Sequence, residues 1–223
     1  MKNIFKKASF FPNDGTLFIS SFIILACLFL SISFPAKAGV QQITKNLSFL
    51  VIIPILYIKL ILKKNLRDYG LTFFNDKNKR NGIIWTPIMF FASLLIIYIL
   101  INYTDFKKNY NLESYIINNF WFFMIYELIL VNILLFIQTF FYQGFIMFTY
   151  LKKINYWSIF VQFFLYVINI TILGSFSWQM VPFIIISLTG GLITYKSHSF
   201  IYSYIMGLLF IIILDSYIIY TIK

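Results

Sequence analysis

"NFWFFMIYELILVNILLFIQTFFYQGFIMFTY", residues 119–150, contains a single charged side chain, Glu127. A continuous helix of this length is about 48 Å long at 1.5 Å per residue. The hydrocarbon core of a bilayer is only about 30 Å thick. The segment therefore reads as a transmembrane helix that tilts, bends or runs past the bilayer.

The rest of the chain has the same character. Of its 223 residues 61% are hydrophobic and 11% charged, well below the roughly 25% charged content of soluble domains. Seven apolar segments stand out, at residues 16–35, 46–62, 83–103, 119–150, 157–173, 179–195 and 200–222. The expected fold is all-α, a polytopic transmembrane bundle of about seven spans forming one domain. Pro54, Pro87 and Pro182 fall inside spans, where a kink is tolerated if neighbours satisfy the freed carbonyls.

The net charge of +11 does not point to nucleic acid. The basic residues cluster in short segments between apolar runs, as membrane topology produces, with no basic face interleaved with aromatics. Their expected partner is the anionic head-group layer of a lipid bilayer. Lys2, Lys6, Lys7, Lys63, Lys64, Arg67, Lys77, Lys79, Arg80, Lys152, Lys153 and Lys196 fall on one side of the seven-span arrangement; Lys37, Lys45, Lys107, Lys108 and Lys223 fall on the other. Lys59 lies near a span end, where it can snorkel. The imbalance predicts a cytoplasmic amino terminus and an external carboxyl terminus. The bias towards Ile, Phe, Asn, Lys and Tyr is that of an AT-rich microbial genome. A bacterial cytoplasmic membrane is the expected location. Ala36-Lys37-Ala38 offers a small-x-small cleavage pattern after the first span. That apolar run is long for a signal peptide, so an uncleaved first helix is expected, with cleavage at Ala38 the alternative. Cys27 is the sole cysteine, which excludes an intramolecular disulfide. The loop from Lys63 to Asn81 reads as a solvated basic connector, or as one whose residues 66–74 lie along the interface.

Polar groups inside a membrane are costly and so are candidates for function. Glu127, Asn132, Gln138 and Gln143 lie on the fourth span, Gln162 and Asn169 on the fifth, and Asp215 on the seventh. A catalytic zinc needs about three converging ligands and an open position, but the chain has one histidine, His198, at a span end, and no paired cysteines. A serine or cysteine nucleophile needs a neighbouring base, and no such pairing is legible. No catalytic residue, metal ligand set or cofactor is assigned. Glu127 and Asp215 count to similar depths, about 10–12 Å from the external face. If their helices touch, they can share a proton or bind a cation; if not, they make ordinary interhelical hydrogen bonds.

"QTFFYQGF", residues 138–145, resembles the first signature of the CPBP family of intramembrane proteases, which includes the CAAX prenyl endopeptidases and bacterial immunity-associated proteins. That signature reads EExxxRG. Gln138 and Thr139 stand at the two glutamates, Gln143 at the arginine, and Gly144 matches. The family's FxxxH falls on residues 165–169, with Asn169 at the histidine. "YKSHSFIYSYIMG", residues 195–207, resembles the start of its last signature, HxxxN, and puts Gly207 at the histidine and Ile211 at the asparagine. "LRDYGLT", residues 66–72, resembles a segment that often precedes the family core. The resemblance implies a four-helix core over 119–223, preceded by three spans over 1–118.

In the family these groups activate a water for peptide hydrolysis. Here all six positions are replaced, and an amide cannot act as a general base near neutral pH. The resemblance therefore implies a catalytically inactive relative, a binding, scaffold or immunity-type protein that holds a membrane-protein or peptide partner in a polar cavity open to the cytoplasm. By depth, Gln138 and Asn169 lie about 18 Å in, and Gln143 and Gly207 about 10 Å. Five residues on a regular helix turn through about 140°, so Gln138 and Gln143 need not share a face. Two alternatives stand beside this expectation: a protease using Glu127 or Asp215, and a carrier or channel component with a Glu127/Asp215 site.

Overall fold

The computed structural model describes residues 14–37, 39–72, 78–110, 112–172 and 177–222. Ala38, together with Lys2, Lys6, Lys7, Lys77 and Lys223 of the charge count, lies outside them. Every regular element among the described residues is helical. Seven long helices succeed one another: α1 (Asp14–Ser33), α2 (Val40–Ile61), α3 (Lys79–Tyr103), α4 (Phe120–Ile154), α5 (Trp157–Ile172), α6 (Val181–Ser197) and α7 (Phe200–Ile222). Six of the seven spans are long and apolar enough to cross a bilayer; α5, at 16 residues, is shorter. Its roughly 24 Å falls short of the hydrocarbon thickness.

Helix α6 is the hub and packs against α3, α4, α5 and α7. Glycine and small hydroxyl residues run along it, among them Ser187, Thr189, Gly190, Gly191 and Thr194, all buried. Without a hydrophobic force between helices in lipid, small residues that permit close backbone approach decide which helix sits centrally. Two apolar clusters flank this hub. One joins α1 and α2 to the buried aromatics Phe140, Phe141, Tyr142 and Phe145 of α4. The other joins α3, Phe106 and Tyr110 to Leu135, Phe210 and Leu214. Helix α3 packs directly on α6 and α7, so the first three spans and the last four make one bundle.

Two stretches of α4 are π-helical, Tyr126–Val131 and Thr139–Ile146. Such i→i+5 turns widen the helix and are frequent at functional positions. Glu127 and Gln143 fall on them, and Asn132 and Gln138 at their edges.

In the segment after α2, Lys63, Lys64 and Arg67 are exposed, as expected of a basic connector, but Tyr69 and Gly70 are buried against the bundle. Leu66–Tyr69 forms a tight turn with a reciprocal cap between Asn65 and Asp68. Tyr69 is buried against Phe145, with ring centroids 6.0 Å apart. Gly70, at φ +83°, offers its carbonyl to the Phe200 N–H at 3.2 Å, and the Ser199 hydroxyl donates to Thr72 O at 2.6 Å. The first turn of α7 has unsatisfied N–H groups. This turn supplies partners for that end, which is why it folds onto the bundle. Gly144 leaves the room: a Cβ there would sit 3.2 Å from the Phe200 ring and 3.3 Å from Tyr69 O.

Candidate functional site

Widening by i→i+5 bonds, to roughly 4.4 residues per turn, brings residues five apart close to one face. Accordingly Gln138 and Gln143 both reach α6. Gln138 Nε2 donates to Phe183 O at 2.9 Å, and Gln143 Nε2 to Ile186 O at 3.2 Å. The divergence expected of a regular helix is thereby corrected. Gln143 is completely buried, and its Oε1 accepts from the Thr194 hydroxyl at 3.3 Å. On the next face of α6, Gln162 Nε2 of α5 donates to Ser187 O at 2.8 Å, and the Ser187 hydroxyl donates back to Gln162 Oε1 at 3.3 Å.

A helical carbonyl has a second lone pair, so it can accept a side-chain amide without losing its backbone bond. Gly190 and Gly191 keep that surface open. A Cβ on Gly190 would lie 2.0 Å from Ser203 Oγ and 2.6 Å from Gln143 Nε2; one on Gly191 would lie 2.6 Å from Gln162 Nε2. The two glycines thus admit one glutamine from each neighbouring helix. The three amides form a clamp around α6.

Beside the clamp, Gln138 Oε1, Tyr142 Oη, Asn169 Oδ1 and Ser203 Oγ are buried with no hydrogen-bond partner among the described residues. Asn169 faces the Tyr142 hydroxyl, and Tyr142 lies one turn beyond Gln138 on α4. The Tyr142 and Tyr166 rings meet edge to face at 4.9 Å. Orphaned acceptors of this kind are where a buried water binds.

The sequence-predicted positions therefore divide. Gln138 and Asn169 come to one neighbourhood through Tyr142, and Gln143 lies one step along, over Gly190. Thr139 turns its hydroxyl to its own helix, donating to Leu135 O at 2.9 Å. Gly207 is packed by Ile186 and Leu135, whose side chains would stand 3.0–3.3 Å from a Cβ, and Ile211 is buried in the second apolar cluster. Gly207 and Ile211 thus contribute apolar packing rather than polar groups beside Gln138, Gln143 and Asn169. Aromatic packing fills the end towards which the expected cavity was to open: Tyr69, Phe145 and Phe200 are buried there, and Phe148 lies close over Gly70.

A second polar centre lies nearer the other end. Glu127 of α4 and Asp215 of α7 are each 1% exposed, and their carboxyl groups meet within hydrogen-bonding reach. Asp215 Oδ1 accepts from the Tyr110 hydroxyl at 2.6 Å. Tyr110 belongs to the connection between α3 and α4. It stacks on Phe106 at 5.0 Å, and Phe106 meets Trp178 edge-on at 5.9 Å. Burial, then the adjacent Asp215, pushes the Tyr110 phenol well above its ordinary range, so it remains a donor. Sequence reasoning found both carboxylates and their common depth. It missed Tyr110, which carries no motif and is distant in the chain.

His198 ends α6 in a left-handed conformation, φ 52°, and partial burial lowers its pKa. Among the described residues, no group of three or more His, Cys, Asp or Glu side chains is placed to hold a metal ion. The chain has no match among protein-family models, curated proteins or solved structures.

Proposed function

We propose that this chain is a catalytically inactive, CPBP-like protein of a bacterial cytoplasmic membrane that serves as a binding, scaffold or immunity-type partner for another membrane protein or peptide. The observation that supports this reading is the use made of the family's catalytic positions. Gln138 and Gln143 spend their amide donors on α6 backbone. Gln138 and Asn169 retain unpartnered acceptors at the places of a glutamate and a histidine. A polar centre of neutral groups keeps helices in register without the desolvation cost of buried charge, and none of these groups is a base near neutral pH.

The proposed orientation places the 62–78 connection, with its basic residues, on the cytoplasmic side.

Reconstituted chain incubated with a prenylated CAAX-type peptide releases no fragment. Chelator-sensitive cleavage that disappears in Gln138→Ala would overturn the reading. Site-specific photocrosslinking in native membranes captures one defined membrane protein, and the reciprocal capture recovers this chain. Failure of both captures removes the partner role. Single-cysteine labelling of intact cells, on a Cys27→Ser background, tests orientation at residues 64 and 107; external labelling at 64 would reverse it.

A further inference from the structure

The acid pair on α4 and α7 takes no part in the amide clamp, and the family resemblance gives it no role. Its surroundings are unusual for two carboxyl groups. Among the described residues, no hydroxyl, amide or ammonium donor reaches either oxygen of Glu127. Tyr110 faces the pair and Tyr126 lies beside Tyr110, and no Lys, Arg or His of the described residues is among these groups. Tyr110 gives its one proton to Asp215 and has none left for Glu127. Glu127 itself sits on the first π-helical stretch of α4, a local widening of the sort found at functional positions.

Two ionised carboxylates touching each other away from water repel with little screening. A bundle that holds them in contact has to place positive charge between them. We infer that Glu127 and Asp215 are the two ligating carboxyls of a site for one small monovalent cation, a proton or a sodium-sized ion, under a cover formed by Tyr110. One such cation reduces the formal charge of the pair to a single negative charge, which the Tyr110 hydroxyl disperses by a charge-assisted hydrogen bond. A calcium-like ion would need a fuller oxygen shell. Tyr110 is itself held by its stack on Phe106, which meets Trp178 edge-on.

The test is infrared difference spectroscopy of the full chain in liposomes, titrated between about pH 5 and 9. Sodium chloride is exchanged for choline chloride at equal ionic strength. In the proton case, a protonated-carboxyl band persists at neutral pH, is insensitive to sodium and is lost in Glu127→Gln combined with Asp215→Asn. In the sodium case, that band is replaced by a carboxylate band as sodium is added, and choline has no such effect. Tyr110→Phe preserves the ring and removes the hydrogen bond, so it shifts the titration midpoint by about one pH unit, tenfold in proton affinity. If the acid variants do not fold, the wild-type and Tyr110→Phe titrations still decide. Two carboxylates fully ionised at neutral pH, without response to sodium, would overturn the site.

Discussion

Replacing Gln143 with methionine separates a clamp from a cavity lining. Methionine has nearly the same length and adapts to irregular gaps, so the substitution leaves no large void. It removes two interhelical bonds, Gln143 Nε2 to Ile186 O at 3.2 Å and the Thr194 hydroxyl to Gln143 Oε1 at 3.3 Å. Interhelical side-chain bonds in membranes average about 0.6 kcal/mol, so the pair contributes about 1 kcal/mol. Thr194 is fully buried, and its stranded hydroxyl adds up to about 1 kcal/mol more. The expected loss is about 1–2 kcal/mol, a factor of roughly 5–30 in the folded-to-unfolded ratio. Equilibrium unfolding in mixed micelles by added SDS, followed by tryptophan emission and far-ultraviolet circular dichroism, measures it. A double-mutant cycle with Thr194→Val isolates the shared bond, at about 0.6 kcal/mol of coupling. Wild-type stability for Gln143→Met, together with strict additivity in the cycle, refutes the clamp, since a side chain lining a wet cavity would give that result.

The glycines give sharper variants. Gly191→Ala places a Cβ 2.6 Å from Gln162 Nε2 and breaks that amide's bonds to Ser187. We expect a loss of about 1–2 kcal/mol in the same titration, partly recovered when Gln162→Ala is added. Gly70→Ala forces a side chain into a left-handed position and against Phe148 at 2.6 Å. The conformation alone costs about 1–2 kcal/mol, and faster proteolysis of the turn after α2 reports the undocking. Gly82→Ala meets the Tyr202 ring at 2.7–2.8 Å and separates α3 from α7, with an expected cost of about 1–3 kcal/mol from overpacking. An unchanged unfolding midpoint for Gly82→Ala would mean that the two helices do not approach there.

Much of the local architecture was legible before any coordinates. The length of each apolar run and the basic residues between runs set the spans, and six of the seven proved long enough to cross a bilayer. The short fifth helix was already among the three shortest apolar runs. The polar positions Gln138, Gln143, Gln162 and Asn169 stood out because lipid tolerates few such groups. The turn at 66–72 was legible only in part: Arg67 is exposed as its charge suggests, but the docking of Tyr69 and Gly70 was not foreseen. That docking depends on Tyr69 and Gly70 meeting Phe145 and Phe200, contacts that no local pattern specifies.

The sequence by itself determined that this is a helical membrane protein, roughly where its spans lie, and which few side chains sit at a cost inside the bilayer. Only the tertiary structure decided what those side chains meet. A lipid-facing surface and a helix-facing surface are equally apolar in a membrane, so hydrophobic periodicity does not fix the rotation of each helix. Rotation and register follow instead from close approach at Gly190 and Gly191, from the π-helical widening of α4 and from distant pairings. That is why Gln138 and Gln143 turned out to grip one helix, why Gly207 lies against apolar side chains, and why Tyr110 completes the Glu127–Asp215 centre.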